Sequence, residues 1–587
     1  MEQKELNRKN KIRKDTIFLL SAIGLTICIA ILFPQIRQFI LDFFEKRILH
    51  RNILGFQIWF KTLVSFAIAG ICFILFFDYC TLTDSGKAFV QEVKKEIKES
   101  LSEIDYRSLL RPALLMLAVY FLGILTIIRA NFLYFDDIAR TILGNRGWSV
   151  WSRYVSDFLS VFIHADTNLT DISPIPQLFA ILILAISSLL LVYIVSNKKI
   201  TAVRLLASIP LGLSPFFLEC LSYKFDAPYM ALSILVSIVP FLFIARKKAF
   251  VFCSVVSLLI MCTTYQVASG IYLLIAFILS FQDWNSRKKS NKEILSFLGT
   301  AILTFCFAMV FFRFALMRNT DEQIFDYASA AMYPLAKMIP GVLVNIKNYL
   351  ATINNDLGMI WKVGIGLVLC FFILKSIDLT AHKKIYSFFV SILFVIVAFI
   401  LSFGVYSLLE KPLYTPRALF GFGVFLSILC IYIVSDYKKI AVITVLAINW
   451  SFFTFAFSYG NALADQTRYA QFRIGILLQD LNSLNLQSDE NRTMLFKNSI
   501  DYAPSVKNIA KHNPIIEKLV PSRLGDFILD GMYCLDYYNN NQYHINYQMV
   551  GNKNFIDFNS MTLPVVFDSY YHTIQCDGKY ILVTLKH

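Results

Sequence analysis

The composition of this 587-residue chain excludes an ordinary soluble globular protein, because 57% of its residues are hydrophobic and only 16% are charged. A net charge of +15 would suggest a nucleic-acid partner in a soluble protein, but here the basic residues lie between long apolar runs. Runs of about 17 to 25 apolar residues are long enough to cross a bilayer as helices. We therefore predict a polytopic α-helical membrane protein that contacts membrane lipids and no nucleic acid.

Thirteen apolar runs are predicted to be transmembrane helices. Short loops rich in Lys and Arg favour the cytoplasm. An even number of apolar runs separates each basic cluster from the next, so all the clusters can lie on the cytoplasmic side. This arrangement predicts a cytoplasmic N-terminus and an extracytoplasmic C-terminus. The first run has no cleavage site after it, so we expect it to be retained. The predicted spans are residues 16–34, 57–79, 112–130, 175–196, 200–220, 228–245, 250–264, 266–282, 294–313, 361–378, 385–407, 417–435 and 438–457.

Three regions follow from this map. Residues 1–111 are predicted to be an accessory two-span unit that ends in a cytoplasmic amphipathic helix over 84–111, and residues 112–459 are predicted to be the main transmembrane core. Residues 460–587 contain no span-length run and are predicted to form a small extracytoplasmic α/β domain. A disulfide between Cys534 and Cys576 is an open alternative in that domain, since an oxidising compartment would permit it.

The first large external loop, residues 131–177, is polar and aromatic where its surroundings are apolar. Asp136 and Asp137 are followed by Arg140, about one helical turn away. Trp148 begins an aromatic stripe that runs to Phe162, and we expect one amphipathic helix lying in the membrane interface. The acids could simply cap a helix start, but an acid pair beside an arginine at a water-facing edge favours a functional site.

Further polar residues are predicted to reach the same face from the ends of distant spans. The turn Tyr265–Gln266 could equally be a hydrogen-bonded pair within the core. Arg313 and Arg417 could merely extend their side chains to the membrane interface. Arginines at this face would also suit a lipid phosphate. The residues are Glu219, Tyr223, Lys224, Asp226, Tyr265, Gln266, Arg313 and Arg417.

Several classes of chemistry have no motif in the chain. The sequence lacks GxxxxGK[ST], HExxH, CxxC and GxSxG patterns. Acid–base chemistry by carboxylates, with arginines available for an anionic group, is what remains.

The runs YFDDIARTILGNRGW, DISPIPQ, SPFFLECLSYKFDAPYM and YTPRALFGFG, with the Tyr265–Gln266 turn, resemble one family. It is that of the serotype-converting O-antigen glucosyltransferases of bacteria and their phages, within the C-type glycosyltransferase (GT-C) superfold. The resemblance covers about residues 112–470, and residues 1–110 depart from the short N-terminus expected of the family. It implies transfer of a glucosyl or related residue from an undecaprenyl-phosphate-linked sugar to a hydroxyl of an O-antigen or other lipid-linked or surface glycan. The reaction would occur on the extracytoplasmic side of the bacterial inner membrane.

In the superfold, an acid of the first large external loop usually serves as the base, which corresponds here to Asp136 or Asp137. Asp226 competes for that role. Arg140, Arg313 and Arg417 are the predicted ligands of the donor phosphate. A single displacement would invert the anomeric configuration, and no cofactor is expected; a divalent cation is not favoured, because Arg140 competes for the same carboxylates. The predicted substrate-binding residues are Glu219, Tyr223, Lys224, Tyr265, Gln266 and Trp148.

Two other functions remain as alternatives. A flippase or transporter of lipid-linked oligosaccharides should carry charges near the middle of its spans and two matching halves, whereas this chain concentrates its charges at one face. An O-antigen polymerase should favour arginine-rich external loops over an early acid pair.

Overall fold

A computed structural model describes residues 69–317, 331–435, 438–484, 492–524 and 561–586, with the short pieces 534–535, 537–538 and 545–547. The predicted span 16–34, the loop 35–56 and most of the predicted span 57–79 lie outside the described residues. What is described is a helical bundle followed by a small sheet.

The helices are numbered here in chain order. They are α1 (Ala69–Leu82), α2 (Asp84–Ser102), α3 (Tyr106–Ala130), α4 (Asp136–Leu143), α5 (Tyr154–His164), α6 (Ile175–Val195), α7 (Ala202–Leu206), α8 (Pro210–Leu213), α9 (Pro215–Ser222), α10 (Ala227–Ile238), α11 (Lys247–Thr264), α12 (Ser269–Asn285), α13 (Asn291–Phe311), α14 (Met338–Asp356), α15 (Met359–Asp378), α16 (Lys384–Ser402), α17 (Gly421–Val434), α18 (Lys439–Ser483), α19 (Pro504–Ala510) and α20 (Ile516–Leu519).

Within the described ranges, eight helices are long and apolar enough to cross a membrane, or nine if the bent pair Ala202–Leu213 and Pro215–Ser222 is one span. That pair bends by 61° at Ser214, where Pro215 has no N–H to continue the hydrogen-bond ladder. Helices α1 and α17 and the segment Ala227–Phe243 are apolar but shorter. The bundle fits a polytopic membrane protein, and the count of thirteen spans stays a prediction.

Helix α2 is amphipathic but shorter than predicted. It ends at Ser102, and Asp105 then caps the start of α3 by accepting hydrogen bonds from the backbone of Arg107 and Ser108, so the predicted helix over 84–111 is two helices. Its acidic side pairs with basic residues of the bundle: Glu92 with Lys248, and Glu99 with Arg246 at 3.3 Å. Helix α2 therefore lies against the same end of the bundle as those basic residues.

Helices α3 and α18 pack closely just below the loop that follows α3. A Cβ added at Gly460 of α18 would lie 2.4 Å from Thr126 Oγ1 of α3, so only glycine permits this approach. The Thr126 hydroxyl donates a hydrogen bond to the Ala456 carbonyl at 3.2 Å. This contact fixes α18 relative to the C-terminal end of α3, where the loop of the acid pair begins.

The C-terminal region forms a five-stranded mixed sheet. Its spatial order is β2-β1-β5-β4-β3, with β1 parallel to β2 and β5, and β4 antiparallel to β5 and β3. We call the described residues of 492–586 the cap. The strands are β1 (Arg492–Lys497), β2 (Ile545–Tyr547), β3 (Val565–Asp568), β4 (His572–Cys576) and β5 (Tyr580–Leu585).

The sequence predicts strands over 494–500, 564–570 and 580–585, and β1, β3 and β5 overlap these segments. Strand β2 was not predicted, and neither was β4, which alternates buried and half-buried residues. The predicted helix over 507–519 is two short helices, α19 and α20, separated around Pro514. Cys534 and Cys576 are both buried in one hydrophobic cluster of the cap, and Cys576 Sγ accepts a hydrogen bond from the Gly578 N–H at 3.2 Å.

One helix connects the bundle to the cap. Residues 438–457 and 463–484 were predicted as a span and a separate helix, but α18 is continuous over its 45 residues, a length of about 67 Å. Its last turns contribute Ile474, Leu477 and Leu481 to the hydrophobic core of the cap. Helix α18 thus crosses the boundary predicted between residues 459 and 460 without a break.

Candidate active site

Helix α4 presents the acid pair at its first turn. It begins after Phe135, whose φ of 35° is in the left-handed region, and ends at Gly144, whose φ of 66° suits glycine. Carboxylates at a helix N-terminus are favoured by the helix dipole. The helix is short, and its two acids lie in different environments.

Asp137 is fully buried and serves as an anchor. One of its oxygens, Oδ2, accepts hydrogen bonds from the backbone N–H groups of Tyr134 at 3.1 Å and Lys224 at 3.0 Å. The other, Oδ1, is buried and has no hydrogen-bond partner in the part of the chain that the structure describes. Burial raises the pKa of Asp137 to about 7, although the Lys224 N–H and the charge of Arg140 oppose the shift. Asp137 therefore ties α4 to the turn before α10.

Asp136 is half-buried, and its carboxylate makes no hydrogen bond or ion pair with any described residue. It is nevertheless close enough to Arg140 and Arg417 for its charge to act on both guanidinium groups. Burial disfavours the charged form of Arg140, but the carboxylates of Asp226, Asp136 and Asp137 outweigh it and raise the Arg140 pKa. Among the described residues, Asp136 is thus a carboxylate without a hydrogen-bond partner that lies within electrostatic reach of two cations.

Asp226, in contrast, has partners on both oxygens. Oδ2 forms an ion pair with Arg140, and Oδ1 accepts a hydrogen bond from Trp148 Nε1 at 2.6 Å. The guanidinium of Arg140 also lies 4.4 Å above the centre of the Trp148 ring. The side chain of Asp226 is only 5% exposed, so Asp226 is placed to hold Arg140 and Trp148.

A second buried pair joins the bent span to the segment before α17. Glu219 accepts hydrogen bonds from the backbone N–H of Arg417 at 2.7 Å and from its Nη1 at 3.3 Å. The guanidinium of Arg417 lies 4.9 Å above the Tyr223 ring, and the Tyr265 hydroxyl donates to the Arg417 carbonyl at 3.3 Å. Seven of the predicted residues are therefore assembled around two arginine–carboxylate pairs, three at the pair of Asp226 and four at the pair of Glu219.

The remaining predicted residues have other positions. Lys224 is buried and its Nζ donates to Asn131 Oδ1 at 2.6 Å and Asp171 Oδ2 at 2.8 Å, so it ties the two ends of the external loop. Gln266 Nε2 donates to the Trp151 carbonyl at 3.2 Å. Arg313 is exposed, and its side chain contacts Met317 Sδ but none of the other predicted site residues in the described ranges.

Arg153 is a site residue that the sequence prediction missed. Its guanidinium lies 4.7 Å above the Tyr265 ring and 3.8 Å from Asp226 Oδ1, but it donates no hydrogen bond to any described residue. Its Nε is buried and has no hydrogen-bond partner within the described ranges. Since Arg140 and Arg417 are each bound directly by a carboxylate, Arg153 is the cation of this cluster with the most hydrogen-bonding capacity left for an anion.

The predicted single interfacial helix is wrong, and this explains the omission. Residues 148–151 form a 3₁₀ turn, Ser152 has a φ of 60°, and α5 starts afresh at Tyr154. Trp148 is therefore buried in the site, whereas Phe158 and Phe162 are exposed on α5, as expected for an interface. Because the helix is broken here, the Arg153 side chain lies near Asp226. In one continuous helix it would lie on the face opposite the aromatic residues.

The described residues contain no cluster of side chains typical of a metal site. Across the ranges that the structure describes, no three His, Cys, Asp or Glu side chains converge as metal ligands would. The expectation of no cofactor stays a prediction.

A bundle of membrane-length helices with an acid–arginine cluster at one end defines a membrane protein suited to acid–base chemistry beside an anionic group. The chain belongs to the GtrII glucosyl transferase family, whose profile matches residues 125–433. It is also 26% identical over 409 residues to an uncharacterized 55.3 kDa protein in the gtrB 5' region of Salmonella phage P22, a match that covers 66% of this chain and 82% of the phage protein. No solved structure matches it.

The resemblance to serotype-converting glucosyltransferases is thereby confirmed. The chain is a glycosyltransferase, and its substrates are a sugar donor and a glycan acceptor. The matched region contains the acid pair, both arginine–carboxylate pairs and Arg153, and ends before α18 and the cap begin.

Proposed function

We propose that this protein transfers a glucosyl residue from undecaprenyl-phosphate-linked glucose to a hydroxyl of an O-antigen or other surface glycan, with Asp136 as the general base. The observation that carries the assignment is the carboxylate of Asp136, which binds no described residue and lies within electrostatic reach of Arg140 and Arg417. Asp226 and Glu219 are bound by arginines, and Asp137 is buried with a raised pKa. Asp136 is the acid of this cluster that a substrate hydroxyl can use.

The chemistry balances without a further reactant. The acceptor oxygen attacks the anomeric carbon, its proton passes to Asp136, and the bond from the anomeric carbon to the phosphate oxygen breaks. Polyprenyl phosphate departs with the bonding electrons. One displacement inverts the anomeric configuration, and Asp136 then releases its proton to solvent.

The departing phosphate needs fixed positive charge, and we assign this role to Arg153, supported by Arg140 and Arg417. Charge-assisted hydrogen bonds from a guanidinium to phosphate are stronger than neutral ones. The unused donors of Arg153 support this choice over Arg313, which lies apart from the cluster.

The proposal extends to fold and location. We propose a GT-C-like fold with thirteen spans in the bacterial inner membrane, with the cap on the extracytoplasmic side. The apolar helices and the family support a membrane protein. Alkaline phosphatase fused after the cap should be active in cells, and an inactive fusion beside an active control fusion would contradict this orientation.

The decisive experiment compares Asp136→Asn with Asp137→Asn, a matched pair of isosteric changes in one helical turn. Membranes containing each variant at equal levels are supplied with undecaprenyl-phosphate glucose and the glycan acceptor. We expect Asp136→Asn to lower the transfer rate by about 10²- to 10⁴-fold, the usual contribution of a general base. Asp137→Asn should retain most activity, because its buried site accepts a neutral group.

Full activity of Asp136→Asn would remove Asp136 from the mechanism. No transfer by the wild-type protein from this donor, with transfer from another lipid-linked sugar, would overturn the donor assignment. NMR of the product reports whether the linkage is inverted.

A further inference from the structure

The cap holds the segment that leads into the acid pair. Arg523 Nη2 donates a hydrogen bond to the Leu133 carbonyl at 2.6 Å, and its guanidinium lies 4.1 Å above the Phe132 ring. The hydroxyl of Tyr134 donates to the Leu519 carbonyl at 2.9 Å. Residues 132–134 are thus bound through backbone and side chains to residues 519–523, almost 400 positions later in the chain.

The same contact continues into α4 itself. Ile138, two residues after Asp136, is buried in the hydrophobic cluster of the cap together with Ile474, Met494 and Leu524. Helix α4 therefore has the cap on one side, and the Asp137 and Arg140 contacts to the bundle on the other.

Between these attachments lies a strained residue. Phe135 has a φ of 35° and a ψ of −97°, a conformation that a bulky side chain seldom adopts. Such a conformation persists when the surrounding structure determines it from both sides. Leu133 and Tyr134, which the cap holds by hydrogen bonds, precede Phe135, and Asp136 follows it. These contacts with the cap therefore set the direction in which the Asp136 side chain leaves the backbone.

We propose that Arg523 is a positioning residue for Asp136: through Leu133 and Phe132, the cap fixes the strained turn that orients the base. Arg523 suits the task because it is 6% exposed and its own carbonyl accepts a hydrogen bond from the Ile500 N–H at 2.8 Å, which builds it into the cap. The catalytic consequence rests on the function proposed above, whereas the mechanical coupling of cap and loop does not. The cap lies outside the region that defines the family, so nothing in the family match assigns it this role.

A matched control exists in the same region. Arg473 of α18 is also buried, at 3% exposure, and donates to the carbonyls of Tyr571 at 2.8 Å and Lys586 at 2.7 Å. It lies beside Tyr571 as Arg523 lies beside Phe132. Its described contacts all stay within α18 and the cap, so its loss should weaken the cap without releasing the turn at Phe135.

The coupling is tested on the full-length purified protein by hydrogen–deuterium exchange of peptides covering residues 131–143. We expect Arg523→Gln to increase exchange in these peptides and Arg523→Lys to increase it less, because lysine keeps the charge but not the planar group on Phe132. Arg473→Gln should change exchange in β4 and β5 but not in residues 131–143. Equal exchange of residues 131–143 in all variants would overturn the proposal, as would an equal increase in Arg523→Gln and Arg473→Gln.

Kinetics separate positioning from general destabilisation. At matched amounts of folded protein, Arg523→Gln should lower kcat by about tenfold or more, since a small misplacement of a reacting group has effects of this size. The KM for the donor should change little, because Arg153 is untouched, and Arg523→Lys should recover part of kcat. A loss shared equally by Arg473→Gln would overturn the positioning role. If wild-type transfer itself fails, the proposed function is wrong, while the exchange result still decides the coupling.

Discussion

Asp136 and Asp137 are neighbours in the chain, yet only the carboxylate of Asp137 has hydrogen-bond partners among the described residues. Asp137 is completely buried and accepts two backbone hydrogen bonds, whereas Asp136 is half-buried and bound by no described residue. Successive residues of a helix point about 100° apart, which directs Asp137 towards the bundle and leaves Asp136 only half-buried. Asp137 therefore anchors the helix, whereas Asp136 keeps a carboxylate that accepts the proton of the substrate hydroxyl in the proposed mechanism.

The buried acid should make stability depend on pH. The pKa of Asp137 is raised to about 7 by burial, so between about pH 4 and 7 the folded protein keeps a proton that the unfolded chain has released. The free energy of unfolding should then fall as pH rises through this range and level off above it. Thermal unfolding of the detergent-solubilised protein should show this fall in wild type and a smaller one in Asp137→Asn. Parallel curves would contradict the raised pKa, since every other titrating group is common to both proteins.

Arg153 should determine donor affinity. Losing charge-assisted hydrogen bonds to phosphate costs about 1.5–3 kcal/mol, which corresponds to roughly a 10- to 100-fold change in affinity. We expect Arg153→Gln to raise the donor KM by this factor, with Arg153→Lys in between. Arg146→Gln is the control from the same loop, because Arg146 pairs with Asp157 at 3.9 Å and lies partly exposed. An unchanged donor KM in Arg153→Gln would remove Arg153 from the phosphate site.

The sequence predicts which segments lie together at the site, but it does not predict which acid pairs with which arginine. Loops at the ends of distant spans were assigned to one face by charge alone, and Asp226, Glu219, Arg140 and Arg417 do come together. Which acid holds which arginine depends on tertiary packing, which no local pattern records. Arg153 was missed because a single residue, Ser152, adopts a left-handed conformation and breaks the helical period that the aromatic residues suggest.

Asp226 should prove to be a partner of Arg140 and not the base. Breaking a buried ion pair by removing one charge costs about 3–5 kcal/mol, because the other charge is left uncompensated. Asp226→Asn should therefore lower protein stability, and the double variant with Arg140→Gln should lose less than the two single variants predict together. A thermal-unfolding double-mutant cycle measures this coupling. Additive losses would mean that the pair contributes nothing as a pair, and full stability with abolished transfer would return Asp226 to the list of bases.

Trp148 should behave as a site residue and not as a membrane anchor. Trp148→Phe keeps an aromatic ring near Arg140 but removes the Nε1 donor to Asp226. Leaving a buried carboxylate oxygen short of a hydrogen bond costs about 1–3 kcal/mol, so the transfer rate or the unfolding temperature should fall measurably. Phe158→Leu, on the exposed side of α5, is the control and should change neither. Equal effects of the two substitutions on transfer and unfolding would contradict the placement of Trp148.

The unbroken α18 has a consequence for how this chain can vary in length. Each residue of an α-helix advances the rotation by about 100° and the axis by about 1.5 Å. One residue added or removed between Gly460 and Ile474 would swing the cap round the helix axis and carry Arg523 away from Leu133. Seven added residues would nearly restore the angle but lift the cap by about 10 Å. The number of residues in this part of α18 therefore sets both the height and the rotation of the cap relative to the bundle. This stretch should tolerate substitution far better than insertion or deletion.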